Sequence, residues 1–326
     1  MLLRLSDDES TIDEVFGAFF ANECATERVR AAAPLGFDSE SWARLAQTGA
    51  PGMALSEAAG GGGASLSAAA VVAAQLGRHI APVPLIEHLA ATRLLERLAP
   101  GHPRLEEVVS GDQIITLALN GDHLVPAGAV AHLIVHTSGD EVALTETEPP
   151  GSGPRNSADL PLANRALDSG TVIGGPGWPR AVAEWQALMA TALAGLGRRA
   201  TEIGVDYVKE RTQFDVPVGS FQAVQHGLAS AITGIEGATH LSSRAVWALD
   251  TGQPDAETLA AMALLFCAEA AQAATAASLQ YHGGYGYAEE YDIQLYHRRA
   301  KGWALQYGDP GAEYQRLAAD LLPEAG

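Results

Sequence analysis

Two short segments of the sequence carry side chains suited to holding a large anionic ligand. In the first, Arg211 ends a helical pattern and could place two parallel hydrogen bonds on a pyrophosphate, while Phe214 offers a flat apolar surface beside it. In the second, Gln280 could hydrogen-bond a ribose or an adenine. Gly283 and Gly284 would let a ligand approach the backbone closely.

Both segments also allow a purely structural interpretation. Arg211 could complement the dipole of the helix that it ends. Gly283 and Gly284 could cap the end of another helix. Which interpretation holds depends on the elements that position these residues.

Composition restricts the possible partners. The chain has 326 residues with 39 acidic and 20 basic side chains, giving a net charge of -19, which argues against a nucleic acid or an anionic membrane as a partner. Two distant cysteines, Cys24 and Cys267, predict neither a disulfide framework nor a metal cluster and fit a reducing, cytoplasmic setting. The N-terminal stretch turns acidic after five residues, so it lacks the apolar core of a signal peptide.

The pattern of apolar residues predicts three regions. Residues 1–108 read as a helical domain, with Asp38 or Ser39 as the cap of one helix and a loop at the run of four glycines. Residues 109–175 contain three short apolar runs separated by turn signals, which predict a small, truncated β domain; the runs are IITLAL, HLIVHT and EVALTE.

Residues 176–326 have the pattern of a C-terminal four-helix bundle. Long helices are predicted at roughly Arg180–Arg211, Ser220–Leu249 and Asp255–Tyr281. The Ala-rich stretches are too interrupted to predict a membrane span. The predicted fold class is therefore mainly α with a small β domain.

Three segments, in this order, resemble the acyl-CoA dehydrogenase family. The first resembles the family's Trp-x-x-Leu helix, Gly-rich loop and Leu-Gly-Arg helix. The second is similar to its Glu-Arg-x-x-Phe-Gly-x-Pro signature, and the third to its Gln-x-x-Gly-Gly-x-Gly segment. They read WARLAQTGAPGMALSEAAGGGG with AAQLGRHIAPVPL, VKERTQFDVPVGSFQAVQHGLA, and LQYHGGYGYAEEYDIQLYHRRAK.

The resemblance implies an FAD site and assigns residues to it. It implies that the ADP half of an FAD, whose flavin ring lies mainly in a neighbouring subunit, contacts a set of seven residues. These are Arg211, Gln213, Phe214, Gln222, Gln280, Gly283 and Gly284. Within this signature we favour cofactor binding over the structural alternatives.

Other polar residues near these segments receive a structural interpretation. Arg298, Arg299 and Lys301 are interpreted as a solvated or inter-subunit face rather than a clamp for CoA phosphates. His226 and His282 are interpreted as structural or surface residues.

The sequence departs from the family where the catalytic base is expected. Counting without gaps places Tyr307 at the position of the usual glutamate, and a neutral tyrosine is a poor base at pH 7. Asp309 lies two residues further on. Some members carry the glutamate on the first bundle helix, where Glu184 lies one residue from the counted position, which holds Trp185. Glu184 and Asp309 are thus weak candidates for a displaced base, with a surface carboxylate as the alternative for Glu184.

A second departure is the short β region, which lacks the strands that usually cover the flavin and the acyl chain. Both departures resemble the short subunit of α2β2 acyl-CoA dehydrogenases of actinobacterial steroid catabolism. That resemblance implies a larger partner subunit that supplies the base, a bulky steroid-like acyl-CoA substrate, and an electron-transfer flavoprotein or similar acceptor. The alternatives are a self-sufficient homo-oligomer that uses Glu184 or Asp309, and a flavin-free scaffold subunit.

Overall fold

The computed structural model describes residues 4–322, so the first three residues of the N-terminal stretch lie outside it. Most of the described chain is helical and one small sheet lies in the middle, which confirms the predicted fold class. The elements are, in order, α1 (Asp7–Glu23), α2 (Thr26–Ala32), α3 (Ser39–Gln47), α4 (Leu66–Arg78), α5 (Leu85–Leu98), α6 (Leu105–Ser110), β1 (Ile115–Leu117), β2 (Leu133–Ser138), β3 (Glu141–Glu146), β4 (Thr171–Gly174), α7 (Trp178–Glu210), β5 (Thr212–Gln213), β6 (Val216–Pro217), α8 (Gln222–Asp250), α9 (Ala256–His282), α10 (Ile293–Leu305) and α11 (Pro310–Leu321).

Polar caps begin several of the N-terminal helices. The Ser6 hydroxyl accepts a hydrogen bond from the Glu9 backbone N–H at 3.2 Å, and the Glu9 carboxylate accepts one from the Ser6 N–H at 2.8 Å. This reciprocal pair satisfies two backbone donors that the first helical turn leaves free. Asp38 and Ser65 cap α3 and α4 through their side chains, so the prediction of Asp38 as a cap is confirmed.

Two glycines let α4 pack closely on α7. A Cβ atom placed on Gly77 would lie 1.9 Å from the carbonyl oxygen of Ala192, and one on Gly195 would lie 2.1 Å from that of Ala74. The two helix backbones are therefore in direct contact. Through this contact the N-terminal helices share one apolar core with the bundle.

The sheet has four strands in the order β1-β2-β3-β4. Strands β1 and β2 are parallel, whereas β2–β3 and β3–β4 are antiparallel. The three predicted strands are confirmed, and Gly139 (φ 63°) forms the turn between β2 and β3. The sequence pattern did not predict β4, because this edge strand is short and largely accessible to water, and so lacks a run of buried residues.

Arg165 ties together the loops beside the sheet, and we expect its loss to destabilise the chain. Its buried guanidinium donates to the carbonyl groups of Gly128, Ala131 (3.0 Å) and Glu148 (3.1 Å). Arg165→Met leaves these acceptors without a donor and should lower the free energy of unfolding by about 2–4 kcal/mol. Arg155→Met, at an exposed position in the preceding loop, is the control. Denaturant unfolding measures both, and equal small effects would contradict the prediction.

The long helices α7, α8 and α9 pack against one another and form most of the bundle. Their ends agree with the predicted ends to within two residues. Within residues 4–322, one helical stretch, Ala256–Tyr287, is long and apolar enough to cross a membrane, but 67% of its apolar window is buried. It is the core helix of a bundle in this structure.

Candidate functional site

A short hairpin follows α7 and presents an aromatic side chain to solvent. Strand β5 pairs with β6 through Gln213 and Val216, and the turn between them consists of Phe214 and Asp215. Both turn residues have left-handed backbone angles, with φ of 53° and 62°. This conformation favours Asn or Gly, and it is strained for a bulky residue such as Phe214. Despite this strain, the Phe214 side chain is not buried and is 87% exposed to solvent.

Arg211 lies at the base of this hairpin. It ends α7, and its backbone N–H donates to the Tyr207 carbonyl at 2.9 Å. The guanidinium carbon lies 5.6 Å from the centre of the Tyr285 ring, which in turn lies 5.6 Å from the Tyr291 ring. Within the described residues the guanidinium makes neither a hydrogen bond nor an ion pair. The Tyr285 ring therefore positions the guanidinium, and its five N–H donors remain available to a ligand.

The end of α9 adjoins the end of α7. The His282 and Tyr207 rings stack at 3.9 Å, and His282 Nδ1 lies 2.7 Å from the Ser278 carbonyl, which it can satisfy only as a donor. Burial lowers the pKa of His282, so the ring is neutral near pH 7. Both observations support its interpretation as a structural residue.

The glycine pair that follows is open on one side. Gly283 has a φ of 62° and ends α9. A Cβ atom on Gly283 or Gly284 would meet nothing within 4 Å. The structural interpretation therefore holds for Gly283, while the empty space beside both residues still allows a ligand to approach the backbone.

The other residues assigned to the cofactor lie at the surface around this region. Gln280 is exposed on the last turn of α9, and Gln222 is exposed at the start of α8. The Gln213 side-chain amide donates a hydrogen bond of 2.9 Å to the Thr212 carbonyl, so one of its donors is already used. The Phe214 ring packs edge-on against Phe221 at 6.4 Å. The structure thus places Arg211 beside the Gly283–Tyr285 turn, and Phe214 beside the start of α8.

Glu184 is fully buried, so its interpretation as a surface carboxylate is wrong. Its carboxylate accepts from Arg97 at 2.7 Å, from Arg180 at 3.0 Å and from Arg93 at 3.1 Å. Burial alone would raise the pKa of Glu184, but the charges of Arg93 and Arg97 outweigh it and hold the pKa below its ordinary value. A carboxylate held in this way is a fixed counter-ion and a weak base.

The segment after α10 holds the other two candidates. Tyr307 is partly buried, with its ring 6.3 Å from that of Trp185, and burial raises the pKa of Tyr307. Asp309 caps α11 by accepting from the Gly311 N–H at 2.9 Å. Tyr307 is therefore held neutral, and Asp309 already has a structural partner.

The interpretation of the basic cluster as a solvated or inter-subunit face is wrong for Arg299. This residue is 5% exposed, and its guanidinium lies 5.5 Å from the Trp303 ring. Arg298 donates to the Ser157 carbonyl at 2.7 Å and pairs with Asp159, whereas Lys301 is exposed. Arg299 turns inward because it shares the buried face of α10 with Trp303. Glu87 is a further buried acid, and no motif in its helical segment pointed to it.

An exposed arginine, an aromatic hairpin and an open glycine turn thus lie where the long helices α7 and α9 end. Two family models match on either side of the sheet: "Acyl-CoA dehydrogenase, N-terminal domain" over residues 6–98, and "Acyl-CoA dehydrogenase, C-terminal domain" over residues 180–318. The chain therefore belongs to the acyl-CoA dehydrogenase family, which confirms the resemblance.

Relatives of similar length support this assignment. The chain is 32% identical to acyl-CoA dehydrogenase IpdE2 of Mycolicibacterium smegmatis, over 98% of this chain and 100% of that protein. Among solved structures, the steroid ACAD Tcur3481-Tcur3483 matches with a TM-score of 0.88 and 28% identity, over 97% of this chain and 98% of that one. The ChsE4-ChsE5 complex of Mycobacterium tuberculosis matches in fold, with a TM-score of 0.86 and 24% identity over the full length of both chains.

Family membership fixes the class of chemistry. Members are oxidoreductases that act on CH–CH bonds with FAD as the cofactor, and these predictions are confirmed for this chain at the level of the family.

Proposed function

We propose that this chain is the smaller subunit of a heteromeric acyl-CoA dehydrogenase, in which it binds the ADP half of FAD while a larger partner supplies the catalytic base. One contrast carries the proposal. The Arg211 guanidinium is exposed and makes no hydrogen bond or ion pair within the described residues, whereas the position expected for the base holds the partly buried Tyr307. The proposed binding surface is thus open, and a tyrosine occupies the position where the base is expected.

The residues around Arg211 fit a dinucleotide. Arg211 would place its N–H donors on the pyrophosphate, and Phe214 would cover an apolar face of the cofactor. Gln280 would hydrogen-bond the adenosine, and the Gly283–Gly284 backbone would lie against it; Gln213 and Gln222 are peripheral members of the site. When bound, FAD supplies the acceptor for the hydride that leaves the β carbon of the thioester.

None of this chain's three candidates suits the removal of the α proton. Glu184 is ionised and paired with three guanidinium groups, and the Asp309 side chain caps α11. The hydroxyl of Tyr307 has a raised pKa, so it holds its proton at neutral pH. The base would therefore come from the partner.

The relatives support a heteromeric assembly and a bulky substrate. One solved relative is the steroid ACAD Tcur3481-Tcur3483, and another is the ChsE4-ChsE5 complex. From these two relatives we extend the proposal to a steroid-like acyl-CoA substrate in an α2β2 assembly. The acceptor would be an electron-transfer flavoprotein or a similar protein. The two buried thiols fit a cytoplasmic location.

Expression of the chain alone and together with a larger acyl-CoA dehydrogenase homologue from the same genome tests the proposal. The chain alone should be colourless and inactive, and the pair should be yellow and active with one FAD per heterodimer. Yellow, active protein from the chain alone would favour the self-sufficient homo-oligomer. Flavin content that does not respond to Arg211→Ala in the assembled pair would favour the flavin-free scaffold.

Replacing Asp309 by alanine tests whether its carboxylate caps α11 or acts as the catalytic base. Because its side chain caps α11, Asp309→Ala should lower the free energy of unfolding by about 1 kcal/mol. The kcat of the assembled enzyme should stay within about twofold of the original. A large loss of kcat with unchanged stability would instead identify Asp309 as the base.

Tyr285 should hold Arg211 in place for the cofactor. A cation–π contact at an exposed site contributes about 0.5–1 kcal/mol, so Tyr285→Leu should raise the Kd for FAD about two- to fivefold. Tyr285→Phe keeps the ring and should leave the Kd nearly unchanged. In an Arg211→Ala background, Tyr285→Leu should have no further effect. Flavin fluorescence titration of the assembled pair measures all three, and equal effects of Leu and Phe would rule out the ring's contribution.

A further inference from the structure

A groove of about 880 Å³ runs between α1, α4, α7 and α8, and its lining includes none of the residues assigned to FAD. The lining on α4 extends from Ser67 to Arg78, which is about 16 Å along the helix at 1.5 Å per residue. Sites for small molecules typically have volumes of about 300–1,000 Å³. The groove is therefore large and long enough for an extended ligand.

The middle of the groove is apolar and offers a smooth surface. Where α4 meets α7, the lining side chains are no larger than a methyl group; these residues are Ala70, Ala74, Ala194 and Gly195. Larger apolar side chains from α4 and α8 form the walls; they are Val71, Val246 and the half-buried Trp247. A flat or chain-like apolar molecule can therefore lie close to the helix backbones, where it is removed from water.

The two ends of the groove differ in polarity. At one end, the Ser67 hydroxyl donates to Asp250 at 2.6 Å, and Trp247 lies in the last turn of the same helix as Asp250. At the other end, Arg198 and Glu236 form an ion pair at 2.7 Å. The groove thus runs from an indole ring to an ion pair.

The polar groups of the lining are largely satisfied within the chain. Three acidic and three basic side chains line the groove, among them Arg198 with Glu236, Arg78, which pairs with Glu202 at 2.6 Å, and Glu9, which belongs to the cap of α1. The lining hydroxyl groups on α7 and α8 donate to carbonyl groups of their own helices. A charged ligand would have to compete with these pairs, so the lining favours an uncharged one.

We propose that this groove binds an elongated, uncharged, apolar molecule that carries a hydroxyl or keto oxygen at one end. Its apolar body would lie along the small residues with one end at Trp247. The oxygen would lie near Arg198, which donates to Glu236 through one of its terminal nitrogens and keeps other N–H donors. His240 lies one turn from Glu236 and makes no hydrogen bond within residues 4–322, so its ring is a second partner for the oxygen.

Steroid ketones and fatty alcohols share this chemistry. An anionic ligand would be repelled by Glu236, and a cationic one by Arg198. The site does not depend on the proposed role in FAD binding, because the two sets of residues do not overlap.

Fluorescence titration of the full chain, alone and in the assembled pair, is the direct test. The probes are androstenedione and dodecanol, each compared with its carboxylate analogue. We expect saturable binding of at least one neutral probe in both preparations, with a Kd on the order of tenfold lower than that of its analogue. The neutral probe that binds more tightly identifies a ring system or a chain as the preferred body.

Two results of this titration would overturn the proposal. One is an absence of saturable binding, or equal binding of the carboxylate analogue. The other is binding by the chain alone that disappears in the pair, which would identify the groove as an interface with the partner. Trp247→Phe should remove most of the change in emission, and a signal that persists in this variant would place the probe elsewhere.

Variants that fill the groove give an independent test. Ala74→Leu places a larger side chain in the lining and should raise the Kd of the neutral probe on the order of tenfold. Ala277→Leu, at a half-buried position on α9 outside the lining, is the matched control and should leave the Kd within about twofold. If Ala74→Leu does not fold, Ser243→Leu fills the groove from an exposed position on α8. Equal Kd values for the filled and control variants would overturn the proposal, and flavin content does not enter the measurement.

Discussion

Replacing Arg211 by alanine should remove most of the FAD from the assembled enzyme. The guanidinium is exposed, oriented by Tyr285 and, within residues 4–322, unpaired, so it can place two charge-assisted hydrogen bonds on the pyrophosphate. Their loss should cost about 3 kcal/mol, which is roughly a 100-fold increase in the Kd for FAD. Flavin absorbance of the purified pair and fluorescence titration measure the effect.

Two comparisons make this test specific. Arg104→Ala removes an equally basic, partly exposed arginine that pairs with Glu107 and Glu146 away from the hairpin, and it should leave the flavin content unchanged. The free energy of unfolding of Arg211→Ala should fall by no more than about 1 kcal/mol, because within the described residues the guanidinium loses its cation–π contact with Tyr285 and no hydrogen bond. A variant that keeps its FAD would contradict the assignment of Arg211, and one that loses its FAD because it unfolds would show instead a structural role.

The helices were largely predictable because their signals are local. The apolar spacing in α7, α8 and α9 repeats over many turns, and Asp38 precedes its helix with the residue type that caps require. The candidate cofactor residues could be identified in the same way, since the arginine, the aromatic residue and the glycines fall in short contiguous motifs. Their exposure in the structure agrees with that interpretation.

The parts that sequence did not predict depend on contacts between distant residues. Strand β4 is held by pairing with β3 rather than by its own pattern. In the sequence, Glu184 resembles an ordinary carboxylate on a helix. Its ion pairs with Arg93 and Arg97 depend on the packing of α5, which lies in the N-terminal region, against α7. The inward position of Arg299 depends in the same way on the packing of α10 against its neighbours.

Glu184→Gln should be the most destabilising of the conservative changes. The carboxylate is fully buried and accepts hydrogen bonds from Arg93, Arg97 and Arg180, so its neutralisation leaves three guanidinium groups without their common counter-ion. Removing one partner of a buried ion pair costs about 3–5 kcal/mol. Glu202→Gln is the matched control, because Glu202 lies on the same helix, also faces two arginines, and is more than a third exposed. Its loss should cost about 1 kcal/mol or less.

The pH dependence of the free energy of unfolding tests whether the charge of Glu184 causes this stabilisation. The pKa of Glu184 is lower in the folded chain than its ordinary value of 4.5, so the folded state binds fewer protons than the unfolded state just below that pH. The stabilisation is therefore complete above about pH 4.5 and is lost as the pH falls through the lowered pKa. The gap between the original chain and Glu184→Gln, measured by denaturant unfolding, should be widest at neutral pH and should narrow in acid. A gap that stays constant with pH would show that shape rather than charge is responsible, and a variant that is stable but has lost its activity would restore Glu184 as the candidate base.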